Sequence, residues 1–146
     1  MQVQVTDNSE QFKRALAEKV PVILEAIGIH IEGEAKDELE NDPHRVDTGL
    51  LRNSITYALS GQAPAIGSYK ADKADKSGKV PSGSYQGTAP NDPDDEQAVY
   101  IGTNVDYGIY VHEGTVRMTP NRFLKNAVER NKDQIKRYIE DNMKSN

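Results

Sequence analysis

Five apolar residues, Leu24, Ile27, Ile31, Ala35 and Leu39, recur at intervals of three and four. That interval places them on one side of a helix, so the spacing predicts an amphipathic helix over residues 21–40. Ile23 lies on the flank of this stripe. Glu25, Glu32, Glu34 and Glu38 fall on the opposite, solvated face. Pro21 lacks an N–H and clashes with a preceding turn, so it suits the first turn of this helix. Asn41-Asp42-Pro43 ends it. Gly28 and Gly33 interrupt the stripe at about 1 kcal/mol each relative to alanine. They either permit close packing against another backbone or weaken the helix.

The flanking segments are shorter. Residues 2–6, QVQVT, alternate with Val3 and Val5 on one side and predict a short strand. Ser9 is positioned to cap a separate helix through residue 19, with Phe12 and Leu16 on one face and Ala15 beside them. Asp47 or Thr48 caps a short helix over 49–53, because either side-chain oxygen accepts a bond from an unpaired N–H. Residues 55–59 read as a strand.

Residues 99–124 hold the densest local signal. A strand over 98–102 is expected to pair antiparallel with 55–59. A turn at Thr103-Asn104 follows, then Tyr107, Ile109, Tyr110 and Val111, and Gly114 breaks that run. Thr119 caps a last helix, with Pro120 its first residue, running to residue 143. Its apolar stripe is Leu124, Ala127, Val128, Ile135, Tyr138 and Ile139. Between the two strands, residues 61–97 carry five glycines, four prolines and four serines. A structureless segment of that length is unusual in a compact domain. The expectation is a long loop or an extended hairpin with arms at 65–69 and 84–88. The fold class that results is α+β: a long N-terminal helix and a C-terminal helix on a small antiparallel sheet. Length predicts one domain over 1–146 with a loop insertion at 61–97.

At 36% hydrophobic residues and a mean hydropathy of −0.75, much of the surface must be polar. There is no cysteine, which removes disulfides and thiolate chemistry. No apolar run resembles a signal peptide or approaches the roughly 20 residues of a membrane span. The expectation is a soluble chain without a membrane partner. Net charge is −5 but uneven: residues 1–60 hold 6 basic and 11 acidic groups, residues 117–146 hold 8 basic and 4 acidic. Two solvated helix faces account for this. The sharper reading sets one subunit's acidic face against a neighbour's basic face, and a head-to-tail contact repeated with rotation closes a ring.

Two blocks carry a family resemblance. The first is Val46, Asp47, Thr48, Gly49, Leu51, Arg52, Ser54 and Ile55. The second is Gly102, Thr103, Tyr107, Tyr110, Val111, Gly114 and Thr115, followed by Arg122, Phe123 and Leu124 at a helix start. In order and spacing they resemble the head–tail joining, neck or tail-completion proteins of lambda-like siphophages, the Hong Kong 97-type minor tail components. The resemblance covers most of the chain except residues 61–97. It implies a structural virion protein of a tailed bacteriophage, assembled in the host cytoplasm. As part of a viral neck it would form a homo-oligomeric ring of six or twelve copies at the head–tail junction. The implied partners are neighbouring connector, head-completion and tail proteins, with DNA passing through the lumen unread. No catalytic residue, cofactor or metal is implied. The residues it marks as defining the fold or a subunit interface are Asp47, Thr48, Gly49, Arg52, Tyr107, Tyr110, Gly114 and Thr115.

The residues themselves support little chemistry. His112-Glu113 lacks the second histidine of a zincin helix, since position 116 is valine. With His30 and His44 it reads as scattered structural histidines. No carboxylate pair sits in an apolar setting that would shift a pKa. Gly102-Thr103-Asn104 and Gly114-Thr115 lack phosphate-loop spacing and read as turns. Tyr107 and Tyr110 suit a core edge or a subunit interface, core being favoured for each alone. Arg52 is placed for a local ion pair with Asp47, with an intersubunit contact as the alternative. Lys70, Lys73, Lys76 and Lys79 recur every third residue as candidate loop contacts, but Asp72 and Asp75 offset their field. The remaining alternative is a DNA-binding or other small phage accessory protein. It would use the basic helix that bears Arg117, Arg122, Lys125, Arg130, Lys132, Lys136 and Arg137.

Overall fold

The computed structural model describes residues 2–42, 49–60, 66–72, 83–88 and 97–144. Its architecture is α+β, with a long N-terminal helix, C-terminal helices and a small antiparallel sheet. The long helix, α1 (Ser9–Glu40), is continuous through Pro21. The expected break at residue 20 is therefore absent. Proline strips a donor from the carbonyl four residues back, and Ala17 is exposed, so the cost of the lost bond is small there. The helix start is also displaced from the Ser9 cap. Asp7 Oδ1 accepts the Ser9 N–H at 2.9 Å, which holds the Asp7 carboxyl below its usual range. The strand expected at residues 2–6 does not form. That segment has no regular structure and leaves Val3 and Val5 exposed.

The stripe does what its spacing predicts. Ile23, Ile27, Ile31, Ala35 and Leu39 are all buried and form one core cluster with Leu51, Ile55, Val111, Phe123 and Ala127. Leu24 is half-buried, so Ile23 rather than Leu24 heads the stripe. Against α1 lies the sheet of β1 (Thr56–Leu59) and β4 (Val99–Gly102), antiparallel with Thr56 opposite Gly102 and Leu59 opposite Val99. This is the predicted pairing. Gly28 is where helix and sheet come closest: a Cβ there would lie 2.8 Å from the Tyr57 ring and 2.9 Å from Val99 Cγ2. The Tyr57 hydroxyl donates to Glu25 Oε1 at 3.3 Å. Burial, then the charge of Glu25, pushes that phenol's pKa up. Gly33 meets no neighbour, so there the glycine only weakens the helix.

The expected hairpin is present as a second antiparallel pair, β2 (Ile66–Ala71) with β3 (Gly83–Thr88). A short helix, α2 (Leu50–Ser54), precedes β1, and α3 (Gly108–Glu113) follows β4. The last helix is two helices, α4 (Phe123–Arg130) and α5 (Lys132–Lys144). Asn131 causes the break. Its side-chain amide donates to the Ala127 carbonyl at 2.7 Å, taking the place of its own main-chain N–H, which turns to Val128 at 3.2 Å. Its Oδ1 lies 2.9 Å from His30 Nε2, which ties the break to α1. Thr119 and Pro120 precede the helix instead of opening it, and Arg122 occupies the cap position without a side-chain bond. Of the predicted stripe, Ala127 is buried and Leu124, Ile135 and Tyr138 pack on the core, but Val128 and Ile139 are exposed.

Candidate interaction surface

Gly49 opens α2 at φ 76°, a backbone shape that favours glycine, with no side-chain cap on the helix. Asp47 and Thr48, the expected caps, lie outside the described residues. From α2, Arg52 Nη2 donates to Asp72 Oδ2 at 2.6 Å, and its other nitrogen lies 3.5 Å from Glu40. Asn53 Nδ2 donates to the Lys70 carbonyl at 2.7 Å and to Asp72 Oδ1 at 3.1 Å. Arg52 thus bridges α1, α2 and the hairpin. The separation of 20 residues from Asp72 left no local signal for that partner. Lys70 is exposed and pairs with Ser84 next to the connecting end of the hairpin. Lys73, Lys76 and Lys79 lie outside the described residues, as does His44.

The two motif blocks meet. Ser54 Oγ, buried, donates to the Leu51 carbonyl at 2.7 Å and lies 2.5 Å from Thr103 Oγ1. Thr103 Oγ1 in turn accepts the Val105 N–H at 3.0 Å. A Cβ on Gly108 would sit 2.9 Å from Thr103 Cγ2 and 3.1 Å from Leu51, so α3 packs tightly over α2. Val111 of α3 faces the core, while Tyr107, Ile109 and Tyr110 are exposed. The core reading of the two tyrosines is corrected: a six-residue helix has room to bury one narrow face, and Gly108 and Val111 occupy it.

Gly114 ends α3 at φ 78°, and a Cβ there would lie 2.8 Å from the Met118 carbonyl oxygen. The turn it permits is closed by Thr115 and Met118, with Thr115 N–H to Met118 O at 2.9 Å. Val116 at its tip is fully exposed. Asn121 N–H then donates to the Val111 carbonyl at 2.9 Å, and its side chain reaches Asp42 Oδ2 at 3.1 Å.

Between the β4–α3 connection and the start of α4 lies a cleft of about 440 Å³, lined by Thr103, Val105, Asp106, Ile109, His112 and Leu124. His112 stacks edge-on against Phe123, and its Nδ1 lies 2.7 Å from Glu113 Oε1. That bond holds the Glu113 carboxyl below its usual range, helped by the charges of Arg122 and Lys125. His30 is placed structurally too, edge-on to Tyr138. The glutamates of α1 are not uniformly solvated: Glu38 accepts from Arg130 and, at 3.4 Å, from Asn126, while Glu32 pairs with Lys36 at 2.6 Å. Among the described residues, no three His, Cys, Asp or Glu side chains cluster as metal ligands. No described helix is long and apolar enough to cross a membrane.

No protein-family model, curated protein or solved structure matches this chain.

Proposed function

We propose that this chain is a structural subunit of a tailed-phage virion, forming a ring at the head–tail junction that joins the capsid connector to the tail tube. One observation carries the reading. The two blocks on which the resemblance rests, 45 residues or more apart in the chain, interlock through Ser54, Thr103, Leu51 and Gly108, and their outer residues Tyr107 and Tyr110 face solvent. Exposed tyrosines beside such a joint support a subunit contact, since tyrosine is enriched at interfaces. In this reading the protein is a homo-oligomer, works without cofactor or catalysis, and contacts DNA only as the wall of a passage.

Electron microscopy of lysates from a phage deleted for this chain tests the proposal. Filled heads beside unattached tails are expected. Intact, infectious particles would overturn it.

The DNA-binding alternative draws less support from the basic helices. Arg130 pairs with Glu38, Lys125 lies 3.9 Å from Glu129, Lys136 3.8 Å from Glu140, and Arg122 3.8 Å from Glu113. Such pairs offset the field that would neutralise phosphates. A steep salt dependence of DNA binding would restore that reading.

A further inference from the structure

The sheet against α1 has an unfinished edge. Antiparallel pairing alternates hydrogen-bonded and non-bonded residue pairs. Ser60 N–H donates to the Ala98 carbonyl at 2.9 Å, so Ala58–Tyr100 and Thr56–Gly102 are the bonded pairs along the ladder. Tyr57 and Leu59 therefore aim their main-chain N–H and C=O groups away from β4. Among the described residues β1 has no second strand beside it, and those groups have no hydrogen-bond partner. β4 lies on the body side, where Val99 and Ile101 pack on the core. β1 is the outer strand, and its Tyr57 hydroxyl reaches the exposed Glu25. Edge strands are usually blunted by a charge, a proline or a bulge. β1, Thr-Tyr-Ala-Leu in unbroken register, has none of these.

The chain also holds a strand sequence without a sheet. Gln2-Val3-Gln4-Val5-Thr6 alternates, carries no charge, glycine or proline, and leaves its valines 75% and 88% exposed. It cannot lie along its own sheet. Gln2 is seven residues from Ser9, about 24 Å at full stretch. Tyr57 packs on Gly28, roughly 28 Å along α1 from Ser9. We infer that residues 2–6 of one copy add as a third strand to the β1 edge of another copy. Main-chain bonds hold such a strand, and alternate side chains set its register. Tyr57 and Leu59 turn toward α1, against Gly28 and the Ala17–Leu24 stretch. Val3 and Val5, two apart, extend that row, and Gln4 falls beside Ala58 on the outer face. Pairing β1 with β1 of a second copy fits less well. It sets two Glu25 carboxylates toward each other across the seam, whereas residues 2–6 are uncharged. Donor and acceptor surfaces differ, so the contact passes from copy to copy and closes a ring where the rotation allows. A five-residue strand covers little beside the roughly 1,200–2,000 Å² of a stable pair, so isolated copies hold weakly. The inference deepens the assembly reading above, on which the ring rests, but the contact is between copies of this chain and is tested without phage.

The cysteine-free sequence makes the test direct. Gln4→Cys and Ala58→Cys put one thiol on each partner and on the same face, within about 8 Å of each other in any register that keeps the valines inward. The two full-length variants are mixed at high concentration, treated with a short bismaleimide and read by denaturing gel. The expected result is a mixed dimer at least about tenfold more abundant than either like-with-like dimer. Adding Val3→Asp and Val5→Asp to the Gln4→Cys chain should remove it. Circular dichroism should stay unchanged, because both valines are already exposed. In the unaltered chain, amide exchange at Tyr57 and Leu59 should slow as protein concentration rises, and the two aspartates should abolish that dependence. Four outcomes overturn the inference: Ala58→Cys chains linking to each other as readily, an internally linked monomer in the dilute double variant, no link at all, or exchange at Tyr57 and Leu59 that ignores concentration. Failure here alongside detached tails in the lysate would leave the virion reading standing. A mixed dimer alongside infectious particles would do the reverse.

Discussion

The two parts of α1 share one backbone and differ in almost everything else. After Pro21 the helix buries five residues at helical spacing and holds both the sheet and the C-terminal helices. Before Pro21 it buries none, and its largest apolar residue, Phe12, faces solvent. Helix propensity does not explain the contrast, since the buried part carries Gly28, Gly33 and β-branched isoleucines while the free part is rich in good helix formers. Packing decides: the C-terminal part is stabilised by tertiary burial, and the N-terminal part persists as an extension of it.

Substitutions can break or sharpen that contrast. The largest effect is expected from Ile31→Ala, which empties a site 1% exposed and should cost about 2–5 kcal/mol in denaturant unfolding. Phe12→Ala, a larger truncation, should change stability by less than about 0.5 kcal/mol. If the two cost the same, the free part is not free. Gly28→Ala should cost about 1–3 kcal/mol, because Tyr57 and Val99 must both move. The same change at Gly33 should stabilise by about 0.5–1 kcal/mol. Pro21→Ala restores a donor to the Ala17 carbonyl. Amide exchange over residues 10–17 should slow by about tenfold while global stability moves little. The smallest effect is expected at Glu113. Its folded pKa is depressed, so the His112 contact contributes above the unfolded value of 4.5 and is lost as pH falls through the folded one. The NMR shift of the Glu113 carboxyl should therefore titrate below pH 4.5, and Glu113→Gln should abolish that step.

The same contrast separates what was legible in the sequence from what was not. The buried stripe and the β1–β4 pairing were legible because periodicity reports burial directly. The hairpin arms were legible as short runs between breakers. Pro21 misled because its penalty depends on whether the orphaned carbonyl is wet, which a sequence does not state. Asn131 was missed because the stripe runs past it; its side chain outcompetes its own N–H, and His30 sits 101 residues away. For the candidate site, the turn residues Gly49 and Gly114 were marked by motif position and do occupy positive-φ turns. Arg52 was marked, but its partners Glu40 and Asp72 are tertiary. The cleft left no linear trace, being assembled from a loop, α3 and α4.

Pairing the first helix with the last also sets a clock on synthesis. His30 must wait for Asn131, 101 residues later, and Asp42 for Asn121. At about 5–20 residues per second, the stripe on α1 is made roughly 5–20 s before its cover leaves the ribosome. Through that interval Ile27, Ile31 and Leu39 stand open to any chaperone or neighbouring nascent chain. A message truncated anywhere before α4 therefore yields a sticky fragment rather than a smaller working protein.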